Sequence, residues 1–284
     1  MIRKNKLLFI NGEEECFHSY GNTMDVRRTE RKKRILRFIE ALMILLFVVF
    51  FALIVRQFIG ERTIAGEEEE AERLRQSLSP AVPAADGEIP EIQPEIAGLM
   101  RKNPDAVGLL HYDGDRTLYV CQGTDNDYYR THRFDGSEDP AGMIFMDCRC
   151  SLLPRSGNLI LYGHNMKNGS RFGTLKRFEK AEHLIEFPIF QLAERYETVD
   201  YVPIAVFHTT ADPDDDAYFA FDQIDFADAA AFDRYIAEVK SRSVVDIPAG
   251  ATYGDRLVTL ATCHSGQVHG RLVVVCREVK SLKE

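Results

Sequence analysis

Short apolar runs separated by polar turns dominate the chain from about residue 94 onward. Runs of this kind, bounded by Gly, Asp, Asn and Pro, are typical of β-strands. We predict eight strands, at 108–111, 117–121, 141–146, 158–162, 197–208, 217–221, 256–261 and 271–279. Eight short strands with irregular spacing favour a mainly β fold, in which the sheet closes or nearly closes into a barrel.

One segment between the strands has a helical period instead. Its apolar residues recur at the i, i+3, i+4, i+7 spacing of a single buried helix face. They are Phe232, Tyr235, Ile236 and Val239. Asp228 stands where an N-cap is expected. We therefore predict a helix over 228–241 that packs against the outside of the barrel, and shorter helical turns over 172–178 and 179–186.

The most apolar stretch of the chain lies near its N-terminus. Residues 38–55 carry one charge, Glu40, and apolar neighbours extend the stretch to 35–59. A membrane-spanning helix needs about 20 such residues. Lys and Arg cluster on its N-terminal side, which predicts that this side is cytoplasmic. A cleavable signal peptide is the alternative, but the run is long, starts late, and has no small-x-small site after it.

Composition divides the chain into four predicted parts. They are a cytoplasmic N-terminal segment (1–34), a transmembrane signal-anchor helix (35–59), an extracellular stalk or linker (60–93) and an extracellular globular domain (94–284). The stalk is rich in charge and proline, a composition that favours solvent over a core. We interpret its run Glu67 to Glu70 as a solvated face.

Charge and cysteine content narrow the function. The formal net charge is −9 and the pI is near 5.5, which argues against a nucleic-acid partner. The acidic loop 212–216 lacks the calcium pattern of an EF-hand, and we expect it to be solvated. Cys148 and Cys150 are too close for a zinc knuckle. An external location permits disulfides, but we prefer to interpret these cysteines as small buried thiols.

Three chemically capable residues stand at strand ends. Cys263 ends the apolar run 258–263, Arg271 begins the last predicted strand, and His164 follows the strand 158–162. A thiol becomes a good nucleophile beside a base or a cation, and a developing oxyanion needs a fixed positive charge. Each residue alone has an ordinary explanation: a buried thiol, a surface turn, and a cation beside a strand. Their matching positions favour a catalytic group.

Three motifs resemble those of the class B sortases, which are cysteine transpeptidases of Gram-positive bacteria. The motifs are Gln122-Gly-Thr-Asp-Asn-Asp-Tyr-Tyr129, Leu161-Tyr-Gly-His164-Asn-Met-Lys-Asn-Gly-Ser170 and Thr259-Leu-Ala-Thr-Cys263. The last is similar to the sortase signature Thr-Leu-x-Thr-Cys. The similarity covers roughly residues 103–279, so the predicted domain 94–284 resembles a sortase catalytic domain.

The resemblance implies an eight-stranded sortase-type barrel with peripheral helices and no cofactor or metal. It implies Cys263 as the nucleophile, His164 as the general acid and base, and Arg271 as the stabiliser of the tetrahedral intermediate. Asn165 and Thr262, which adjoin the first two, are the residues we expect to bind substrate.

The resemblance also implies the partners. The substrate would be a secreted surface protein with a C-terminal sorting signal of the Asn-Pro-x-Thr-Asn kind, cleaved after Thr. The acyl group would pass to an amine of the cell-wall peptide, carried by a peptidoglycan precursor, or to a pilin amine. Three alternatives stay open: a thiol peptidase whose acyl enzyme is resolved by water, a pilin-polymerising sortase, and an anchored protein that only binds peptide.

Overall fold

The computed structural model describes residues 12–79, 89–114, 116–263 and 269–279, with side chains from residue 28 onward except that of Cys263. The chain divides into two compact units, Met1–Glu61 and Arg62–Glu284. Four α-helices lie in the described ranges. They are α1 (Gly12–Gln76), α2 (Pro94–Lys102), α3 (Ala181–Glu186) and α4 (Ala229–Arg242).

The N-terminal unit consists of the first part of α1. Its apolar side chains between residues 35 and 59 are exposed, and the most apolar 18-residue window has a mean hydropathy of 3.0. By length and composition this helix is a candidate membrane span. The predicted boundaries and orientation of the span stay predictions.

Eight strands form a closed barrel in the order β1-β2-β3-β4-β7-β8-β6-β5, which confirms the predicted architecture. The strands are β1 (Ala106–Tyr112), β2 (Arg116–Cys121), β3 (Ile144–Met146), β4 (Asn158–Gly163), β5 (Phe190–Glu194), β6 (Thr198–Thr210), β7 (Leu257–Cys263) and β8 (Gly270–Glu278). Two neighbouring pairs, β2/β3 and β4/β7, are parallel, and the others are antiparallel.

Aromatic packing fills one part of the core. The ring of Tyr112 lies at centroid distances of 5.8, 6.3 and 5.8 Å from those of Phe172, Phe178 and Phe190. All four side chains are fully buried. The Tyr112 hydroxyl donates to the carbonyl of Arg171 at 2.7 Å, so its polar end is satisfied inside the core. Through Phe172 and Phe178, the segment that follows β4 is packed into this cluster.

Helix α4 confirms the helical prediction. The Asp228 side chain accepts a hydrogen bond from the amide of Ala231 at 2.7 Å, as an N-cap does. The four predicted apolar positions are buried. Lys240 donates through Nζ to the carbonyl of Ile204 on β6 at 3.2 Å and to that of Ala249 at 3.0 Å. The helix therefore packs beside β6 and also holds the segment that leads into β7.

The structure differs from the prediction at three places: one predicted strand is absent from the described residues, and two observed elements were not predicted. The segment 217–221 is not a strand, because Thr209 bonds it through a side chain: its Oγ1 donates to the Ala217 carbonyl at 3.0 Å and accepts from the Phe219 amide at 2.9 Å. Strand β5 and helix α2 were not predicted. Both are short: α2 buries two apolar residues, Ile96 and Leu99, and β5 is the five-residue run Phe190–Glu194, so each offers few positions from which to recognise a period.

The C-terminal part of α1 belongs to the barrel unit. The Glu67 carboxylate pairs with Arg171 at 3.0 Å, and Glu68 pairs with Arg116 at 2.8 Å. The interpretation of Glu67 to Glu70 as a solvated face is wrong for these two residues, because their side chains are largely buried and pair with arginines of the barrel. The boundaries 60–93 and 94–284 stay predictions.

Candidate active site

Three neighbouring strands bring the proposed chemistry together. Strands β4 and β7 run parallel, with Gly163 opposite Thr262. Strands β7 and β8 are antiparallel, with Cys263 opposite Arg271. Neighbouring strands lie about 4.8 Å apart. His164 follows Gly163 directly, so it leaves the sheet at the level of Cys263 on the next strand. The side chain of Cys263 and residues 264–268 lie outside the described residues.

A cavity of about 310 Å³ lies at these strand ends. It is lined by Asn126, Asp127, Arg130, Phe145, Tyr162, Gly163, His164, Ala261, Thr262 and Arg271. Three of the residues predicted to form the site are therefore in one cavity: His164, Thr262 and Arg271. Asn165 is not among the described residues that line it, and forms an isolated antiparallel bridge with Arg171 instead.

The imidazole of His164 has a defined hydrogen-bond partner. Its Nε2 lies 2.7 Å from the carbonyl oxygen of Arg130. A carbonyl oxygen only accepts, so Nε2 carries the hydrogen in this arrangement. The ring is half-buried at the cavity edge. The Nε2 hydrogen is thus engaged by the carbonyl of Arg130, a residue that also lines the cavity.

The backbone of His164 closes the loop that carries it. Its carbonyl accepts from the amides of Met166 at 3.1 Å and Phe172 at 3.0 Å. The loop 164–171 therefore leaves β4 and returns to the same point before Phe172 enters the core. Its start and its end are held together by main-chain bonds, so the position of one end determines the position of the other.

Arg271 and Thr262 present polar atoms to the same cavity. Arg271 Nη1 donates to the carbonyls of His269 at 3.2 Å and Gly270 at 3.0 Å. A guanidinium carries five N–H donors, and these bonds engage one of its nitrogens. Thr262 is 2% exposed, and its hydroxyl has no hydrogen-bond partner in the part of the chain that the structure describes.

The cavity also contains side chains that we did not predict from the sequence. Asn126, Asp127 and Arg130 come from the segment between β2 and β3. The Asn126 side-chain oxygen accepts from the amide of Cys148 at 2.8 Å, and Asp127 pairs with Arg130 at 2.9 Å. No periodic pattern marks this segment. The motif 122–129 contains Asn126 and Asp127, so it was the one sequence feature that could have indicated this part of the cavity wall.

Tyr162 forms part of the cavity wall through a buried network. Its hydroxyl donates to Asp147 Oδ2 at 3.1 Å. Burial and the neighbouring Asp147 charge raise the pKa of Tyr162, so the phenol stays protonated and keeps this bond. Asp147 also pairs with Arg149 at 2.8 Å. The wall is thus fixed by charge-assisted bonds instead of by apolar packing alone.

The four cysteines whose side chains are described in the barrel unit are free. Burial raises the pKa of Cys121 to about 12 and that of Cys150 to about 11, and it raises the pKa of Cys276 well above its usual value. These three are buried thiols, as we interpreted them. Cys148 is half-buried. A raised pKa makes a thiol a poor nucleophile at neutral pH.

Comparisons with known proteins show the class of enzyme to which this barrel belongs. No protein-family model matches the chain. Sortase B of Listeria monocytogenes is 32% identical over 187 residues, which cover 65% of this chain and 74% of the relative. Sortase B of Staphylococcus aureus is 26% identical over 253 residues, covering 88% and 99%.

Solved structures give the same result. The crystal structure of Bacillus anthracis sortase B in complex with AAEK1 superposes with a TM-score of 0.66 at 27% identity, covering 78% of this chain and 99% of that one. The chain belongs to the class B sortases and is a cysteine transpeptidase.

Proposed function

We propose that this sortase is anchored in the membrane and cleaves a sorting signal of the Asn-Pro-x-Thr-Asn kind after Thr. The acyl group passes from Cys263 to an amine of the cell-wall peptide. The strand register supports the residue assignment, since Gly163 lies opposite Thr262 and Cys263 lies opposite Arg271. With His164 directly after Gly163, this pairing is consistent with a histidine, a cysteine and an arginine that act together at one end of three adjacent strands.

The chemistry follows from the three groups. The Cys263 thiolate attacks the carbonyl carbon of the substrate Thr, and the carbonyl oxygen becomes an oxyanion. Arg271 stabilises that oxyanion with its N–H donors. His164, as the imidazolium, protonates the leaving amine when the C–N bond breaks, which leaves a thioester on Cys263. An amine then attacks the thioester, His164 takes its proton, and the thiolate leaves.

Proline in the signal fits this type of site. It fixes one backbone dihedral and biases the preceding residue to extended conformations, so the peptide enters the cavity partly preorganised. The cavity wall offers amide, carboxylate and guanidinium groups from Asn126, Asp127 and Arg130. These groups have the hydrogen-bonding capacity to recognise the polar Asn side chains of the signal.

The N-terminal unit supports the proposed location. The apolar part of α1 would span the membrane, and the basic cluster before it would lie in the cytoplasm. The catalytic unit would then be extracellular, next to secreted surface proteins and to peptidoglycan precursors.

Peptide assays with the full-length chain in detergent micelles test this function. Peptides of the Asn-Pro-x-Thr-Asn, Leu-Pro-x-Thr-Gly and scrambled kinds are incubated with and without an oligoglycine amine, and products are identified by mass. We expect cleavage after Thr of the first peptide and a ligated product when the amine is present. Hydrolysis without ligation would indicate a thiol peptidase, and preference for the Leu-Pro peptide would contradict the proposed signal.

Cysteine and histidine variants test the assignment of residues. Cys263→Ala and His164→Ala should each abolish turnover, because residues that act as one unit are not additive. Cys148→Ala is the matched control, since it removes a half-buried thiol outside the lining of the cavity. Near-normal cleavage by either of the first two variants would show that the assignment is wrong.

A further inference from the structure

Two arginines hold the loop that carries His164. Arg171 ends the loop, is 1% exposed, and has a left-handed backbone conformation with φ of 53°. Its carbonyl accepts from the buried Tyr112 hydroxyl at 2.7 Å. Arg116, at the start of β2, donates through Nη1 to the carbonyl of Gly169 within the loop. The loop is therefore bonded to the barrel at two places, through the carbonyl of Arg171 at its end and through the carbonyl of Gly169 inside it.

Each arginine is in turn bound by a glutamate of α1. Arg171 Nη2 lies 3.0 Å from Glu67 Oε2. Arg116 Nη2 contacts both carboxylate oxygens of Glu68, at 2.9 and 2.8 Å. The two glutamates are consecutive, and both side chains are largely buried, at 16% and 19% exposure. The helix thus contacts the loop directly at Arg171, and indirectly through Arg116, which binds the Gly169 carbonyl.

Burial makes these pairs consequential. A surface ion pair contributes little, but removal of one partner from a buried pair leaves a charge that neither water nor protein compensates. Without Glu67, the guanidinium of Arg171 would have to move toward solvent. Arg171 bridges to Asn165, and the next residue, Phe172, donates its amide to the His164 carbonyl at 3.0 Å. A shift of Arg171 is therefore passed to His164 through main-chain bonds.

We propose that Glu67 and Glu68 are positioning residues, which hold His164 in its catalytic place through Arg171 and Arg116. This inference rests on the proposed function, in which His164 transfers the proton. It assigns a role in catalysis to the helical segment that directly follows the apolar stretch of α1. That segment is then part of the catalytic unit and not a passive linker.

Kinetics of glutamate variants in the full-length protein test the proposal. We compare Glu67→Ala, Glu67→Gln and the double variant E67A/E68A with the control Glu69→Ala. Glu69 is the matched control, since it pairs only along the helix with Arg73 and is exposed. The double variant should lose about ten- to a hundredfold in kcat, because a misplacement of about 1 Å costs about that much. KM should stay unchanged, since neither glutamate lines the cavity.

The conservative variant Glu67→Gln separates a loss of positioning from a loss of structure. Glu67→Gln keeps an oxygen that accepts from Arg171, so it should retain more kcat than Glu67→Ala. The loss in the alanine variants should fall on kcat and leave KM unchanged, and Glu69→Ala should keep both values. Unchanged kcat in E67A/E68A would overturn the proposal, as would an equal loss in the Glu69→Ala control.

Amide hydrogen exchange gives a readout that needs no substrate. Exchange in the loop 165–171 should become faster in E67A/E68A, while β7 and β8 keep their protection. The proposal would be overturned if exchange became faster uniformly across the barrel, or if the exchange rate in the loop did not change. If the double variant does not fold, the same comparison is made with Glu67→Gln. A wild-type protein that cleaves no peptide would refute the proposed function alone, since loop exchange still decides the role of the glutamates.

Discussion

Gly163→Ala is a sharp test of how the barrel places His164. An added Cβ at Gly163 would lie 2.3 Å from Ile144 Cδ1 and 2.8 Å from Phe172 Cδ2. Both neighbours are fully buried, so neither side chain can swing into solvent. Either the side chains adopt strained rotamers or the end of β4 moves away from them. The residue after Gly163 is His164, so movement of the strand end moves the imidazole to which we assign the proton transfer.

The magnitude follows from overpacking. An extra methyl group in a well-packed core costs about 1–3 kcal/mol. For a domain of about 150–250 residues, each kcal/mol lowers Tm by about 2–4 °C, so we expect a decrease of about 2–12 °C. A displacement of His164 by about 1 Å would lower the turnover of the folded protein by about 10²-fold. Scanning calorimetry measures the first effect, and peptide cleavage well below Tm measures the second.

Two further variants make the test specific. Gly250→Ala is the control, because its added Cβ would have no neighbour within 4 Å. Ile144→Val removes Cδ1, the atom in closest contact, so the double variant G163A/I144V should recover part of both losses. Wild-type Tm and turnover in Gly163→Ala would refute the argument, and so would a double variant whose losses are simply additive.

Three more predictions follow from single groups. Arg271→Lys keeps the charge but loses the planar set of donors, and should lose about 10²–10³ in rate in the peptide assay; full activity would show that charge alone suffices. A hydrogen bond from Arg75 is the largest cause that lowers the pKa of Glu72, from 4.5 to about 2, so its stabilisation is present above about pH 4.5 and is lost as pH falls toward 2. Glu72→Gln should weaken that acid dependence in denaturant titrations, and an unchanged acid limb would contradict it. Cys121 and Cys276 should resist iodoacetamide in the native protein, because burial raises their pKa; peptide mapping that finds either one labelled quickly would show that the core opens.

The strands that the sequence predicts well are those with continuous apolar runs. β8 contains Leu-Val-Val-Val, and β7 and β4 have similar runs, because their residues face packed surfaces on both sides. β5 has no such run, because Gln191 interrupts it after Phe190 and Glu194 ends it. The error at 217–221 has another cause: its aromatic side chains are apolar enough for a strand, but Thr209 takes the hydrogen bonds that a ladder would use.

Strand ends predicted where His164, Cys263 and Arg271 lie along the fold, and the motifs supplied the roles that we propose for them. The wall residues Asn126 and Arg130 lie in an irregular segment, where composition carries no spatial information. The glutamates of α1 look like any solvated run, because their arginine partners are 104 and 48 residues away along the chain. A single sequence does not reveal pairs at that separation.

The insertion of β7 between β4 and β8 joins parts of the chain that are synthesised at different times. His164 directly follows β4, Cys263 ends the parallel neighbour β7, and β5, β6 and α4 come between them along the chain. Arg271 lies opposite Cys263 only after β8, the last of the described strands, has been synthesised and has paired. A nascent chain therefore does not hold the three strand ends together before β8 pairs with β7.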